Sequence, residues 1–281
     1  MKFLVIGHLT KDIILKNGKR IERIGGGAYY SALALSCFGK VKVLTKIGKD
    51  FPERFLEEFG RRVELILLPS KKSTIYELRY LNKGKRILRL LDKGDEIKAQ
   101  ELPKLDEFDI ILVNPVAKEI SPETLEGVKK YYLSLDLQGL VREFKEVIEI
   151  GKIEKSLLKN VKIIHANLNE ISALGKFEEA IEFLRKNIKV ALISNGGKKG
   201  IAIENGKIYS YYPPKVEVKD KTGAGDCFLA AFTYFYKNYS FLESIKKANA
   251  FTSLFLERRK FDFDMKEILK KSLEVKVKKL N

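Results

Sequence analysis

The sequence predicts an α/β protein: a mainly parallel central sheet with helices on both faces, in three layers, and a small β-sheet projecting from it. Two observations carry this. Short apolar runs alternate with helical or turn segments: KFLVIG, a helix from about residue 28, VKVLTKIG, a helix near 52–59, VELILL, FDIILV, YYLSLD, VKIIHA and KVALIS. Alternation of that kind builds a parallel sheet covered on both sides. Two segments then break the rhythm. Residues 73–91, STIYELRYLNKGKRILRLL, read as two alternating strands around a turn at Asn82, Lys83, Gly84 and Lys85, and residues 13–24 read as a second hairpin turning at Asn17 and Gly18. Two ribbons without helices between their strands, at about 12–24 and 73–91, form either a small lid sheet or an edge extension of the main one.

A chain of 281 residues can bury a full core. No apolar run reaches membrane-span length, and the first seven residues read as a strand rather than a signal peptide, so a soluble cytoplasmic protein is expected. Cys37 and Cys227 sit in apolar helical patterns without metal-ligand spacing, which argues against a disulfide framework or a zinc site. Lys and Arg number 54 against 37 Asp and Glu, a net charge of +17. The basic residues are dispersed among glutamates with no arm or block. With two Met and no Trp, that pattern fits ion pairing on a heat-adapted surface better than a nucleic-acid footprint.

In open α/β sheets ligands bind beyond the carboxyl ends of the strands, so the residues after each strand are the informative ones. After the first strand comes GHLTKD, where Asp12 can accept hydrogen bonds from two vicinal hydroxyls of a sugar or polyol. His8 reads more readily as structural. Gly25, Gly26 and Gly27 then allow close backbone approach to a ligand before a helix that opens with Tyr29 and Tyr30, aromatics equally suited to core packing. The segment LDLQGLVR places Asp136 and Gln138 after a strand with Arg142 beyond; an N-cap Asp and a surface Arg is the plainer account. After VKIIHA, Asn167 and Glu170 have the spacing of a helix cap, while a Glu there could also position Mg²⁺ through its water shell. Residues 189–203 form a strand, a glycine turn and a strand.

The chain converges on Asp220, Lys221, Thr222, Gly223, Ala224, Gly225 and Asp226, followed by the apolar run CFLAAFTYFY. The glycines let successive N–H groups point at one spot as a helix begins, which suits a phosphate. Asp226 would repel that phosphate unless it accepts a proton from an attacking hydroxyl.

This string resembles the signature of the ribokinase-like (PfkB) carbohydrate kinases, and nearly the whole chain follows that family's motif order. The resemblance implies a single ribokinase-like domain over 1–281, and it favours the lid reading of the two hairpins. It implies that Asp226 is the catalytic base and that Gly223, Ala224 and Gly225 form the anion hole. Asp12, the triple glycine, Tyr30 (where many members have Asn), Asp136 and Gln138 (again in place of Asn) would face the acceptor. Asn167, Ser194 (or its neighbour Asn195), Gly197, Gly200, Lys221, Thr222 and Arg142 would serve the nucleotide. Glu170 would position Mg²⁺, and Asp220 matches a residue tied to a monovalent cation, although Lys221 beside it leaves potassium dependence open.

The activity implied is Mg·ATP-dependent phosphorylation of a hydroxyl on a sugar or cyclic polyol, by a monomer or a homodimer, with no nucleic-acid or membrane partner. GHLTKDII together with GGGAYYSALALS is most similar to the archaeal myo-inositol 3-kinases within the family. A nucleoside or simple-sugar kinase of the same family is the alternative, and a nucleotide sensor or nucleic-acid-binding protein a distant one.

Overall fold

The computed structural model describes residues 1–81 and 86–280. Among these, the main sheet has ten strands. Its parallel part comprises β1 (Lys2–Ile6), β4 (Lys40–Ile47), β5 (Glu64–Pro69), β8 (Ile110–Val113), β9 (Leu133–Asp136), β12 (Ile163–Asn167) and β13 (Val190–Ser194). They lie in the order β13-β12-β9-β8-β1-β4-β5. An antiparallel extension, β14 (Gly200–Glu204), β15 (Lys207–Tyr212) and β16 (Lys276–Lys279), continues from β13.

Successive side chains of a strand point to opposite faces, so an unbroken apolar run implies burial on both. In β1, Phe3 and Val5 enter one core while Leu4 and Ile6 enter the other; in β8, Ile110 and Leu112 separate in the same way from Ile111 and Val113. The first core is closed by α1 (Gly27–Ser36), α2 (Glu53–Gly60), α6 (Ala224–Asn238) and α7 (Phe241–Arg258), followed by α8 (Met265–Ser272). The second is closed by α3 (Pro122–Val128), α4 (Gln138–Val141) and α5 (Phe177–Asn187). Helix α7 begins at Ser240, whose hydroxyl accepts from Glu243 N while the Glu243 carboxylate accepts from Ser240 N, a reciprocal cap.

The two hairpins do join into one sheet. Its strands are β2 (Thr10–Lys16), β3 (Lys19–Gly25), β6 (Thr74–Tyr80) and β7 (Arg86–Asp92), in the order β3-β2-β6-β7. The β2–β6 junction is parallel, with Asp12 opposite Tyr76. Asn17 and Gly18 both have positive φ, 51° and 72°, as a two-residue hairpin turn of matching twist requires. The expected turn at Asn82, Lys83, Gly84 and Lys85 lies outside the described residues. A short ribbon not foreseen from the sequence, β10 (Arg142–Phe144) and β11 (Ile148–Ile150), contributes Phe144 and Ile148 to the apolar cluster under the lid sheet. No helix among the described residues is long and apolar enough to cross a membrane.

Candidate active site

A cavity of about 640 Å³ opens where the parallel strands end, between the lid sheet and the first turn of α6. Its walls include Asp12, Gly26, Gly27, Tyr30, Asp136, Gln138, Arg142, Asn167, Glu170 and Ser194, together with the continuous run from Asp220 to Asp226. Residues remote in sequence therefore meet in one place. Asp12 and Asp226 face the same space. Gly25, Gly197 and Gly200 are not in the wall. A side chain at Gly25 would strike the Asp12 carboxyl at 2.2 Å, and one at Gly200 would strike the Tyr211 ring at 2.3 Å. Gly200 is thus packed against Tyr211 in the antiparallel extension and lies outside the wall that the expected nucleotide loop would line.

The loop that leads into α6 is shaped by Gly223. Its φ is 82°, a left-handed conformation that caps α6, and a Cβ there would meet the Tyr30 ring at 2.4 Å. Tyr30 is buried against Tyr29 and Phe255, so it supports the loop from beneath and reaches the cavity only in part, more a packing residue than an aromatic flank for a ligand ring. On the other side a Cβ at Gly225 would approach His165 Cε1 at 3.0 Å. Helix α6 begins with Ala224, which puts Asp226 in its first turn, nearly buried at 9% exposure.

Asp226 is held by two amides. Asn114 Nδ2 and Gln138 Nε2 each donate to Asp226 Oδ1 at 2.9 Å. Gln138 Nε2 also donates to Asn114 Oδ1 at 3.0 Å, and Asn114 Nδ2 to Ser31 Oγ at 2.9 Å. Arg142 fixes the orientation of the Gln138 amide by donating from Nη2 to its Oε1 at 3.0 Å, while Nη1 donates to Val116 O at 2.9 Å. Arg142, expected to serve the nucleotide, is anchored here to the amide that holds Asp226, while still lining the cavity.

A second chain lies beside the first. Asp136 Oδ1 accepts from Gln138 N at 2.9 Å and Oδ2 accepts from His165 Nδ1 at 2.6 Å, while His165 Nε2 meets Ser194 Oγ at 3.1 Å. Asp136, expected at the acceptor, is committed to His165. Glu170 Oε2 accepts from Asn167 N at 2.8 Å, and Asn167 Oδ1 accepts from Glu170 N at 3.0 Å, a reciprocal pair at the end of β12 just before a short helical turn whose N-cap is Asn169. Glu170 nevertheless lines the cavity.

Three carboxylates, Asp136, Glu170 and Asp226, are crowded here with Arg142 and His165 as countercharges. Burial first, and the Asp136 charge second, push Asp226 up to about 6 and Glu170 up to about 7. Burial would lower the His165 pKa, yet the Asp136 carboxylate raises it overall. Among the described residues no cluster of three or more His, Cys, Asp or Glu could cage a metal ion. A buried carboxylate such as Glu170 in the cavity wall does suit Mg²⁺, which retains waters and needs few protein ligands.

Asp12 sits past the end of β1, within β2 of the small sheet, and accepts from Thr10 Oγ1 at 2.7 Å. Asp220 accepts from Thr222 N at 2.9 Å and Thr222 Oγ1 at 2.7 Å on one oxygen, and from Arg23 Nη1 at 2.9 Å on the other. Burial pushes the Asp220 carboxyl up, but the Thr222 and Arg23 hydrogen bonds outweigh it and hold the group at about 2. Asn114, Ser31, His165, Arg23 and Arg259 were not singled out from the sequence. Asn114 alone was within reach of the strand-end rule, since it directly follows FDIILV.

Comparison with known proteins agrees with this geometry. Residues 3–267 match the model of the pfkB family carbohydrate kinases. A cytidine kinase of Thermococcus kodakarensis is 26% identical over 83% of this chain and 87% of its own, and an inositol 3-kinase of Arabidopsis thaliana is 26% identical over 100% of this chain and 82% of its own. The solved structure of a pyrophosphate-dependent kinase in the ribokinase family, complexed with a pyrophosphate analogue and myo-inositol, superposes with a TM-score of 0.81 at 26% identity, covering 95% of this chain and 99% of that one. The architecture is ribokinase-like, and the chain belongs to the pfkB family of carbohydrate kinases, phosphotransferases that act on a hydroxyl acceptor.

Proposed function

We propose that this kinase transfers the γ-phosphoryl group of ATP to a hydroxyl of a neutral cyclic polyol, with myo-inositol phosphorylated at its 3-position as the best candidate. The observation that carries this reading is the shared cavity of Asp12 and Asp226. Among the described residues, the wall on the lid side of Asp12 includes Thr10, Tyr76, Leu78, Leu88 and Val116, and its cations are Lys16 and an Arg142 already engaged with Val116 O and Gln138 Oε1. A phosphorylated acceptor would call for a cluster of basic side chains there; one carboxylate among apolar and hydroxyl groups suits a neutral polyol. The resemblance to an inositol 3-kinase and to a kinase complexed with myo-inositol points the same way.

Both amide bonds to Asp226 fall on Oδ1, which leaves Oδ2 for the acceptor hydroxyl. Asp226 takes the proton as the hydroxyl oxygen attacks phosphorus and the bond to the leaving phosphate breaks. The Ala224 N–H is already turned back to Lys221 O at 3.2 Å, so the cradle is left to the N–H groups of Gly223, Gly225 and Asp226, reinforced by the helix dipole. Lys221 and Lys219 line the donor end and add positive charge. Glu170 would hold Mg²⁺ through its water shell, and the ion would supply neutralisation of the donor phosphates.

Pyrophosphate is a second reading for the donor. The superposing kinase is pyrophosphate-dependent, and neither Gly197 nor Gly200 of the expected nucleotide loop reaches the cavity wall. The test is a matrix of acceptors (myo-inositol, cytidine, adenosine, ribose, fructose) against ATP and pyrophosphate, with the product's position assigned by NMR. Turnover confined to myo-inositol with ATP supports the reading. A preference for a nucleoside would overturn the acceptor, and a preference for pyrophosphate the donor.

A further inference from the structure

The position expected to take part in a monovalent cation site does not fit one. A cation of that kind needs several oxygens turned toward it, and the candidate oxygens around Asp220 are already bound to nitrogen. Arg259 Nη1 donates to Thr222 O at 2.8 Å and to Asp220 O at 3.1 Å, and its Nη2 stands 3.5 Å from Asp220 Oδ2. Arg23 Nη1 donates to the same Oδ2 at 2.9 Å. Two guanidinium groups against one carboxylate leave this spot with a net positive charge before any ion arrives. A further unit charge about 4 Å away would meet a repulsion of about 4 kcal/mol at the effective dielectric of a protein surface.

Arg259 is held in place from its own side. It follows the last turn of α7 in a left-handed conformation, φ 57°, with its N–H donating to Phe255 O, and its guanidinium lies over the Phe255 ring at 4.4 Å. A planar cation that stacks on an aromatic face and forks into two carbonyls is restrained in position and charge. The carbonyls it grips belong to Asp220 and Thr222, the residues that lead into Gly223 and the first turn of α6. Its effect therefore passes to the phosphate cradle through the backbone.

We propose that Arg259 is a tethered cation: its guanidinium stands where a bound monovalent ion would, holding the Asp220–Thr222 backbone so that the cradle is set without potassium. Arg259 is a positioning residue, since it acts through the loop and not on the reacting atoms. The inference rests on the kinase reading of that cradle, and the test separates the two.

The full chain is assayed at constant ionic strength in potassium, sodium and tetramethylammonium chloride, and its melting temperature is recorded in each. Expected are rates that agree within about twofold and coincident melting temperatures. Stimulation by potassium of about fivefold or more over tetramethylammonium, or a rise in melting temperature specific to potassium, overturns the proposal. Arg259→Ala is expected to lose about tenfold or more in kcat/KM for the donor, with part of the loss recovered by added guanidinium, and Arg259→Lys to lose less. A folded Arg259→Ala with unchanged donor kcat/KM also overturns it. Should that variant fail to fold, the wild-type salt series and the Lys variant decide. Absence of turnover in every salt with every donor would count against the kinase reading alone, leaving the melting series to judge Arg259.

Discussion

Gln138 Nε2 donates to Asp226 Oδ1 at 2.9 Å across a separation of 88 residues, and with Asn114 it occupies that one oxygen of the carboxylate. The direction of the amide is not arbitrary. Arg142, which can only donate, occupies Gln138 Oε1 and so turns the NH₂ group toward Asp226.

Gln138→Glu removes that donor and sets a carboxylate against a carboxylate. The Asp226 pKa should rise further, moving the acidic limb of the kcat/KM profile to higher pH, with turnover at pH 7 reduced about tenfold or more. An unmoved acidic limb in a pH–rate profile would separate Gln138 from the base.

Asp226→Asn should lower kcat by about 10²- to 10⁴-fold with the fold intact. The same variant should be more stable at pH 8. The folded pKa of about 6 lies above the ordinary value of 3.8, so the native state bears a cost of buried charge above pH 6 that disappears below about pH 4. Removing the charge relieves that cost, and the amide oxygen still accepts from Asn114 and Gln138. Thermal melts at pH 8 and pH 4 check the sign: the gain in melting temperature should be present at the first and absent at the second.

For the unaltered enzyme, kcat/KM should fall as pH drops through about 6, because the base is then protonated. Glu170, at about 7, should make the Mg²⁺ requirement steeper over the same descent. Glu170→Gln should raise the Mg²⁺ concentration for half-maximal rate by about tenfold while leaving acceptor KM nearly unchanged. Equal Mg²⁺ curves for the variant and its parent would remove Glu170 from that role.

Gly223→Ala should be among the more damaging small substitutions. It imposes a side chain at φ 82° and drives a methyl into the Tyr30 ring. A loss of at least about 1 kcal/mol in chemical denaturation is expected, together with weaker donor binding as the helix N-terminus shifts.

Much of the fold could be read from the chain because local chemistry dictates it. Runs such as KFLVI and IILV are apolar at every position, which only burial on both faces accommodates, and the Asn17–Gly18 turn declares its hairpin through residues that tolerate positive φ. The turn into α6 was equally plain, since Gly223 and Asp226 stand at fixed spacing where that helix begins. His165 and Arg259 were opaque for the opposite reason, and Asn114 was marked only by its place after a strand. Each is an ordinary residue in an ordinary place, the end of a strand, the middle of a strand, and a charged stretch after a helix, and none has a local partner that betrays its use. Arg142 and Asp136 were visible yet assigned other tasks, because a motif names the residue and not the neighbour that will occupy it.

The sequence by itself determined the layered α/β architecture and the glycine turn that opens α6 with Asp226 in its first turn, both of which follow from periodicity and from glycine and aspartate at short range. Only the tertiary structure decided that Asn114 and Gln138 converge on one oxygen of Asp226, that His165 engages Asp136, and that Arg259 fills the space beside Asp220. Those relationships join segments tens to hundreds of residues apart. They are set by how strands register and helices pack, which no short stretch of the chain encodes.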